Sequence, residues 1–403
     1  MKGILRPAML LAIVAAGALV VASSARAEGT KYEVYGFAMM DAGYNSIGID
    51  PAWFDVQRPT KLPEVKDEYG KDGSAFFSVR QTRFGIKTGT HTDRGELKTQ
   101  FEFEMFGVGA DAGQTTIRLR HAYGELGKWG AGQTWSPFMD IDVFPNTVEY
   151  WGPPGMAFFR NVQIRYMPIQ GDTRLTIALE RPGASGDQGV TSDIIGAGGH
   201  TINPRFPVPD LSAEYRRGFT KGYVELAGIV RRIQWEDLTP TPTVDLSGNV
   251  TGWGIHASSN IKFSKDVLRL SALHGEGIEN YMNDAPVDVG TEATGNVSQP
   301  VKGVALPVTG IVAFLDHTWN PKASSSIGYS MVQIDNSQGQ APDAFKTGHY
   351  VLGNVMVYPV PNVMAGVEVG WIRRENNSDG FTSDDYHVQV SAKYNFSFSG
   401  GGQ

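Results

Sequence analysis

Segments of about ten residues, in which apolar and polar side chains alternate, recur along almost the whole chain. In the last segment apolar residues alternate with polar ones. The apolar set is Tyr386, Val388, Val390, Ala392, Tyr394 and Phe396, and the polar set is His387, Gln389, Ser391, Lys393 and Asn395. A period of two places the two sets on opposite faces of a β-strand. A soluble sheet would bury the apolar face in a core, whereas a membrane barrel turns it towards lipid. The period alone does not choose between them.

The number and spacing of these segments favour a membrane barrel. We predict sixteen strands, which begin near Lys31, Ala75, Glu96, Gln114, Lys128, Phe158, Thr173, Asp210, Gly222, Thr251, Val267, Pro307, Ala323, Lys346, Val363 and Asp385. Tight turns alternate with long connections, for example residues 44–74, 136–157, 182–209 and 275–306. This asymmetry is typical of outer-membrane barrels with both termini in the periplasm. The predicted fold is therefore all-β, a sixteen-stranded antiparallel transmembrane β-barrel.

The beginning of the chain has the pattern of a secretory signal peptide. Lys2 and Arg6 precede an apolar run over residues 8–22, and Ala25-Arg26-Ala27 supplies small residues at positions minus three and minus one. Beyond it no apolar run approaches the roughly 20 residues of a membrane helix, so insertion must use strands. We predict a cleaved signal peptide over residues 1–27, a barrel domain over 28–398 and a short Gly-rich tail over 399–403.

Composition excludes several other classes of protein. Removal of the signal peptide takes away three of the 35 Lys and Arg residues, against 42 Asp and Glu, so nucleic acid is not an expected partner. The absence of Cys excludes disulfides and thiolate metal sites. The chain also lacks phosphate-binding glycine loops, His-Glu-x-x-His and calcium-loop spacings. We predict no cofactor and no metal.

Two neighbouring predicted strands carry charge on one face. On the first, Glu96, Lys98, Gln100, Glu102 and Glu104 share a face; on the second, Thr116, Arg118, Arg120 and Ala122 alternate with Ile117, Leu119, His121 and Tyr123. Burying such rows in a dry core would cost several kcal/mol per unpaired charge. A barrel of about 16 strands encloses an aqueous channel in which they remain hydrated. The strand count itself therefore indicates permeation.

The first half of the chain resembles the DcaP-like trimeric outer-membrane porins. The matching stretches are VYGFAMMDAGY from Val34, DPAWFDVQRPTKLP from Asp50, SVRQTRFG from Ser78, GELKTQFEFEMFG from Gly95, DAGQTTIRLRHAYGELG from Asp111, GAGQTWSPFMDIDVFPNTVEYWGPPGM from Gly130 and PIQGDTRLTIALERPGASGDQG from Pro168. The resemblance implies a homotrimer in the outer membrane of a Gram-negative bacterium, in contact with its lipid and lipopolysaccharide. It also implies uptake of small anionic solutes, with dicarboxylates as the named class.

The connection from Ser136 to Ala157 is the candidate constriction loop. It follows the fifth predicted strand, where the loop that folds into the pore arises in sixteen-stranded porins. It carries Asp140, Asp142 and Glu149 among many aromatic residues, which are unfavourable on an exposed loop. The alternative is an extracellular loop whose aromatic rings pack against a neighbouring subunit.

Arginines cluster on the strands that flank this loop. The candidate pore-lining residues are Arg80, Arg83, Arg118, Arg120, Arg165 and Arg174, together with Glu102 and Glu104. Opposite a carboxylate-bearing loop, the arginines would create a transverse field that selects anions. Alternatively, some of them pair with Glu102, Glu104, Asp140 or Asp142 to hold wall and loop together. Arg80 and Arg83 have opposite parity, so only one faces inward unless a bulge intervenes.

Three other functions are compatible with a barrel. The first is a general, non-selective diffusion porin. The second is an enzyme, because His256-Ala257-Ser258 is similar to the His-x-Ser arrangement of outer-membrane phospholipases. The third is a structural trimer without transport, which would require an occluded pore. The surrounding sequence shows no phospholipase likeness, and we predict that the protein is not an enzyme.

Overall fold

The computed structural model describes residues 29–107, 116–197, 199–240 and 244–401. Its strands are β1 Lys31–Asn45, β2 Ser74–Ser78, β3 Arg83–Thr92, β4 Gly95–Gly107, β5 Thr116–Leu126, β6 Trp129–Trp135, β7 Arg160–Ile169, β8 Arg174–Glu180, β9 Ile202–Arg205, β10 Asp210–Phe219, β11 Gly222–Asp237, β12 Gly248–Phe263, β13 Asp266–Glu276, β14 Val289–Asn296, β15 Gln299–Ala305, β16 Pro307–Asn320, β17 Ala323–Ile334, β18 Phe345–Val357, β19 Val363–Asn376 and β20 Thr382–Gly401. One short α-helix, Ser192–Ala197, and five 3₁₀ turns lie in the loops: Pro51–Trp53, Pro59–Lys61, Ile141–Val143, Gly189–Thr191 and Glu279–Tyr281.

These strands form a closed antiparallel barrel. Consecutive barrel strands are paired from β3 to β8, β8 pairs with β10, and pairing continues through β13 and β16 to β20. Strand β1 closes the ring, because it pairs with β3 on one side and with β20 on the other, from Lys31 opposite Gly401 to Asn45 opposite His387. β2 and β3 together occupy one position, whereas β9, β14 and β15 lie in loops. The barrel therefore has sixteen strands.

The predicted strand pattern is confirmed. Each predicted start that lies in the described residues is within three residues of the start of an observed strand. The predicted start at Gln114 and the predicted signal peptide lie outside the described residues. The tail boundary needs correction, because the last strand continues through Ser399 and Gly400 to Gly401, which pair with β1.

We call the two ends of the barrel the long-loop end and the short-turn end. At the short-turn end Gly127 connects β5 to β6 with a φ of 58°, which glycine adopts without strain.

The barrel has an apolar outside and a polar inside. On β20 Tyr386 and Val390 are 63% and 53% exposed, whereas Asp385 and Gln389, which directly precede them, are 1% and 0% exposed. A soluble protein would bury the apolar set and expose the polar one. The alternation therefore belongs to a membrane barrel, whose apolar face meets lipid.

The long loops contain structure that the alternation did not predict. β14 and β15 form a hairpin within the connection between β13 and β16, and β9 pairs with the end of β11. No helix in the described ranges is long and apolar enough to cross a membrane.

Candidate functional site

The third long loop, residues 136–157 and called L3 below, folds inside the barrel. Phe138, Met139 and Ala157 are buried in an apolar cluster with inward-facing residues of the wall, including Ile229 and Leu273. Because β11 to β13 and β16 to β17 present apolar side chains to the lumen here, L3 packs against that side. The prediction that this loop turns inward agrees with the observed placement.

One end of L3 is anchored by Asp140, which is fully buried. Its carboxylate accepts hydrogen bonds from Arg216 at 2.5 Å, Tyr223 at 2.6 Å and Ser258 at 2.6 Å. The neighbouring Asp142 also pairs with Arg216, although its side chain is half exposed. Two carboxylates of the loop therefore bind the wall at one arginine of β10, which the sequence interpretation had not selected.

The same arginine belongs to a larger group, which we call the acid-rich cluster. It contains Arg174, Arg216, Glu214, Glu225, Asp140 and Asp142. Arg174 pairs with Glu214 at 3.1 Å and with Glu225 at 2.9 Å, and Arg216 also pairs with Glu225, at 2.6 Å. Four carboxylates thus surround two guanidinium groups.

The tip of L3 is held by two buried carboxylates that have no cationic partner in the described part of the chain. Glu368 on β19 accepts the backbone N–H groups of Val148 and Glu149 at 2.6 and 2.8 Å. The carboxylate of Glu149 accepts the N–H of Trp151 at 2.6 Å and the hydroxyl of Tyr350 at 2.8 Å. Burial raises the pKa of Glu149 to about 7, and its backbone donors oppose the shift.

The returning half of L3 touches the wall backbone to backbone. A Cβ on Gly155 would lie 2.0 Å from the carbonyl oxygen of Met331, and a Cβ on Gly310 would lie 2.1 Å from that of Gly155. The N–H of Gly155 donates to Ser330 at 2.9 Å. Only glycine fits at both positions, so the return path of the loop lies directly on β16 and β17.

The first and sixth long loops also fold inward, which the sequence interpretation missed. Arg58 of the first loop lies between the rings of Trp53 and Trp151, at 4.2 and 4.0 Å from their centroids. It pairs with the buried Asp284 of the sixth loop at 2.8 Å, and Asp284 also accepts the N–H and hydroxyl of Thr60. The three loops therefore meet at one junction inside the barrel.

A second charged group, which we call the arginine-rich cluster, lies on β3, β4, β5 and β7. It contains Arg83, Arg118, Arg120, Arg160, Glu102 and Glu104. Glu104 is buried and pairs with Arg118 at 2.6 Å, Arg120 at 2.7 Å and Arg83 at 3.2 Å. Glu102, also buried, pairs with Arg120 at 2.5 Å. Both glutamates are buried, whereas Arg118 and Arg83 are partly exposed.

Arg160 and Arg165 complete the positive side of the wall. Arg160, which the sequence interpretation also missed, acts on Glu104 through space and packs on Trp135 at 4.8 Å, and its buried Nη1 has no hydrogen-bond partner among the described residues. Arg165 donates to Gln163 at 2.8 and 3.0 Å and to the carbonyl of Trp135. Neither forms an ion pair with a carboxylate in the described part of the chain.

Two irregularities set which arginines face inward. Arg120 is an extra residue opposite the Glu102–Phe103 step, so a β-bulge buries both Arg120 and His121. His121 and Tyr123, expected towards lipid, therefore face the interior, where Tyr123 bonds Glu125 at 3.0 Å.

Residues 79–82 form a turn between β2 and β3, and this break brings Arg80 and Arg83 to the same side. Arg80 pairs with Asp55 at 2.7 Å, and burial raises the pKa of Asp55 although Arg80 opposes it.

The suggested His-x-Ser pair does not form. His256 bonds the carbonyl of Phe138 at 3.0 Å and Ser271 at 2.9 Å, and Ser258 donates to Asp140 at 2.6 Å. Both side chains hold L3. No group of three or more His, Asp or Glu side chains in the described ranges is placed to bind a metal.

Comparisons with known proteins agree with this architecture. A family model described as DcaP outer membrane protein matches residues 20–234. No curated protein sequence matches the chain. The outer membrane channel DcaP of Acinetobacter baumannii is similar in structure, with a TM-score of 0.75 at 20% identity over 91% of this chain and 98% of that one. An in-vitro folded trimer form of the outer membrane protein OmpT of Vibrio cholerae has a TM-score of 0.54 at 12% identity over 91% and 99%. The anion-selective porin from Comamonas acidovorans has a TM-score of 0.54 at 9% identity over 92% and 100%.

Proposed function

The chain belongs to the DcaP outer membrane protein family and is an outer-membrane porin, and we propose that small anionic solutes, dicarboxylates among them, diffuse passively through it. The related structures are a channel and porins rather than enzymes. Export through a cleaved signal peptide is part of the same proposal.

The observation that carries this proposal is the charge excess of the arginine-rich cluster. Four guanidinium groups, Arg83, Arg118, Arg120 and Arg160, surround the two carboxylates of Glu102 and Glu104. Since each carboxylate neutralises one charge, about two positive charges remain uncompensated. A buried cluster of this kind attracts an anion that replaces water around it.

Within the arginine-rich cluster, exposure decides which arginines meet a solute. The side chains of Arg118 and Arg83 are 28% and 23% exposed, whereas that of Arg120 is 5% exposed. Arg118 and Arg83 are therefore proposed as the anion-contacting groups, with Arg160 and Arg165 nearby on the same wall. Arg120, Glu102 and Glu104 support them from behind. Arg80 and Arg174 are proposed as structural partners of Asp55 and the acid-rich cluster.

Constriction by L3 completes the proposed selectivity. Asp140 and Glu149 are buried and attach the loop to the wall. Of the three acidic residues of L3, Asp142 alone is exposed at the lumen. The loop therefore narrows the passage by its bulk, and its carboxylates contribute little to a transverse field. A narrow passage keeps solutes within reach of Arg118, where screening by salt is weakest.

Assembly and surroundings are proposed from the relatives. OmpT was solved in a trimer form, and the family resemblance implies the same state, so we propose a homotrimer. Its apolar outer surface would contact outer-membrane lipid and lipopolysaccharide. The anion preference of the Comamonas porin, a protein of the same fold, is compatible with our proposal.

A general, non-selective porin is the competing function. It is favoured by the acid-rich cluster, where four carboxylates outnumber two arginines and could offset the positive wall. Reversal potential in a salt gradient separates the two, because a non-selective pore gives a value near zero and an anion-selective pore does not.

The test replaces Arg118 with Gln, which keeps a polar side chain and leaves Glu104 paired with Arg83 and Arg120. We expect wild-type channels in a planar bilayer to prefer chloride over potassium, and Arg118→Gln to reduce that preference and the passage of succinate. Arg217→Gln on the exposed side of β10 is the matched control and should behave as wild type. A wild-type channel without anion preference would overturn the proposal.

A further inference from the structure

Lys393 on the closing strand β20 is a cation of the lumen face that no acid neutralises directly. It has the parity of Gln389 and Ser391, both of which are buried inside the barrel. It forms no ion pair in the described part of the chain. Asp41 attracts it through space, but the carboxylate of Asp41 already accepts hydrogen bonds from Gln81, Gln389 and Ser391.

Lys393 lies beside the arginine-rich cluster. Its ammonium is 5.3 Å from the centroid of Phe37, and the guanidinium of Arg83 is 5.2 Å from the same centroid. Lys87 on β3 lies 4.7 Å from the ring of Tyr35 on β1 and is likewise without a carboxylate partner among the described residues. Cations and rings therefore alternate along this wall.

The position of Lys393 relative to L3 is fixed by the strand. Gln389 contacts the carbonyl of Val148 at the tip of L3, and Val148 packs against Met39 and Met364. Lys393 follows Gln389 by four residues towards the short-turn end, which is about 13 Å along a strand. A solute that has passed the tip of L3 reaches Lys393 next.

We propose that Lys393 and Arg83, on either side of Phe37, form a second carboxylate-binding site on the short-turn side of L3. The site rests on the proposed anion function and extends it. A dicarboxylate can place one carboxylate at this site while the other is still held by Arg118, with its carbon chain against the ring of Phe37. A monocarboxylate lacks the second contact. The site therefore favours dicarboxylates over monocarboxylates after both have entered the pore.

The experiment compares block of single-channel chloride current by succinate and by acetate. In Lys393→Gln we expect the half-blocking concentration of succinate to rise about two- to fivefold, the range expected for one solvated ion pair. Acetate block should change less. Lys393→Arg should retain succinate block, because it keeps the charge. Lys322→Gln, which removes the same charge from an exposed turn, is the control.

The outcomes separate this inference from the proposed function. If wild-type channels show no anion preference, the proposed function itself fails. If wild-type channels prefer anions but succinate blocks Lys393→Gln at the same concentration as wild type and Lys322→Gln, the second site is wrong. The anion function then stands. Loss of succinate block in Lys393→Arg as well would assign the effect to packing against Phe37 and also overturn the site.

Discussion

The arginine-rich and acid-rich clusters both consist of arginines paired with carboxylates, but their excess charges have opposite signs. In the first, four arginines share two buried glutamates, and Arg118 remains partly exposed to the lumen. In the second, four carboxylates share two arginines, and the side chain of Arg216 is only 7% exposed. The minority charge is fully buried only in the arginine-rich cluster, since Arg174 of the acid-rich cluster is 30% exposed. The sign of the excess charge, rather than the number of arginines, therefore distinguishes the proposed solute-facing surface from the loop anchor.

The difference also explains where L3 lies. Its acidic residues bind the side of the barrel that supplies Arg216, Tyr223 and Ser258, next to inward-facing apolar side chains. The opposite, arginine-rich side contacts L3 through Tyr150, whose hydroxyl bonds Arg118 and Glu104 and whose ring stacks on Phe106 at 3.9 Å. L3 therefore contacts both sides of the barrel, the acid-rich side through ion pairs and the arginine-rich side through Tyr150.

Deleting residues 140–146 removes the forward half of L3 with its anchor at Asp140, and it is the change with the largest expected effect. We expect single-channel conductance to rise several-fold, because the widest part of the obstruction is lost, while the arginine-rich cluster and its anion preference remain. Deletion of residues 294–298, the exposed end of the β14–β15 hairpin, should leave conductance unchanged. Unchanged conductance in a correctly inserted 140–146 deletion would place L3 outside the conducting path.

Arg216→Gln tests the anchor alone. Removing one partner of a buried ion pair costs about 3–5 kcal/mol. Here it leaves the buried Asp140 without a cation and Glu225 paired with Arg174 alone. We expect lower thermal stability in detergent and a noisier, larger single-channel current, since L3 is released at one end. Arg118→Gln should not alter stability to this extent, because Glu104 keeps two partners. Equal destabilisation by the two variants would contradict the division into anchor and solute-facing surface.

The pH dependence of the other anchor gives the smallest expected effect. Burial raises the pKa of Glu149 to about 7, above the value of about 4.3 for an unfolded chain. The stability contributed by the protonated group is therefore complete below pH of about 4.3 and is lost as pH rises through about 7. We expect Glu149→Gln to flatten the change in thermal midpoint in this window, and the exposed Glu96→Gln to leave it as in wild type. Parallel pH profiles for wild type and Glu149→Gln would exclude this carboxylate as the titrating group.

Most of the barrel could be predicted from the sequence because period-two alternation is a local signal. The strand starts, the tight turns and the inward loop all follow from neighbouring residues. The bulge at Arg120 and the break at residues 79–82 could not, since each depends on how the strand pairs with its neighbours. Asp140 and Arg216 lie on separate elements, and nothing local marks them as partners.

The sequence identified several residues of the candidate site but not how they are arranged in space. Arg83, Arg118 and Arg120 were selected together with their partners Glu102 and Glu104, because all lie on adjacent strands. Lys393 was placed on the polar face, yet its proximity to Arg83 depends on closure of the barrel by β20. Arg160 was missed because it sits at the first residue of β7, where parity is poorly defined.

The contact between Gly155 and Gly310 limits how a pore of this design can diversify. Since the backbones touch there, any larger side chain at either position would push the returning half of L3 away from its wall. The forward half, by contrast, is attached through side chains, and an exchange of the half-exposed Asp142 would change the charge at the lumen while Asp140 keeps its own bonds to Arg216, Tyr223 and Ser258. Engineering or natural variation can therefore change pore size and charge through the forward half, while the returning half stays fixed against the wall.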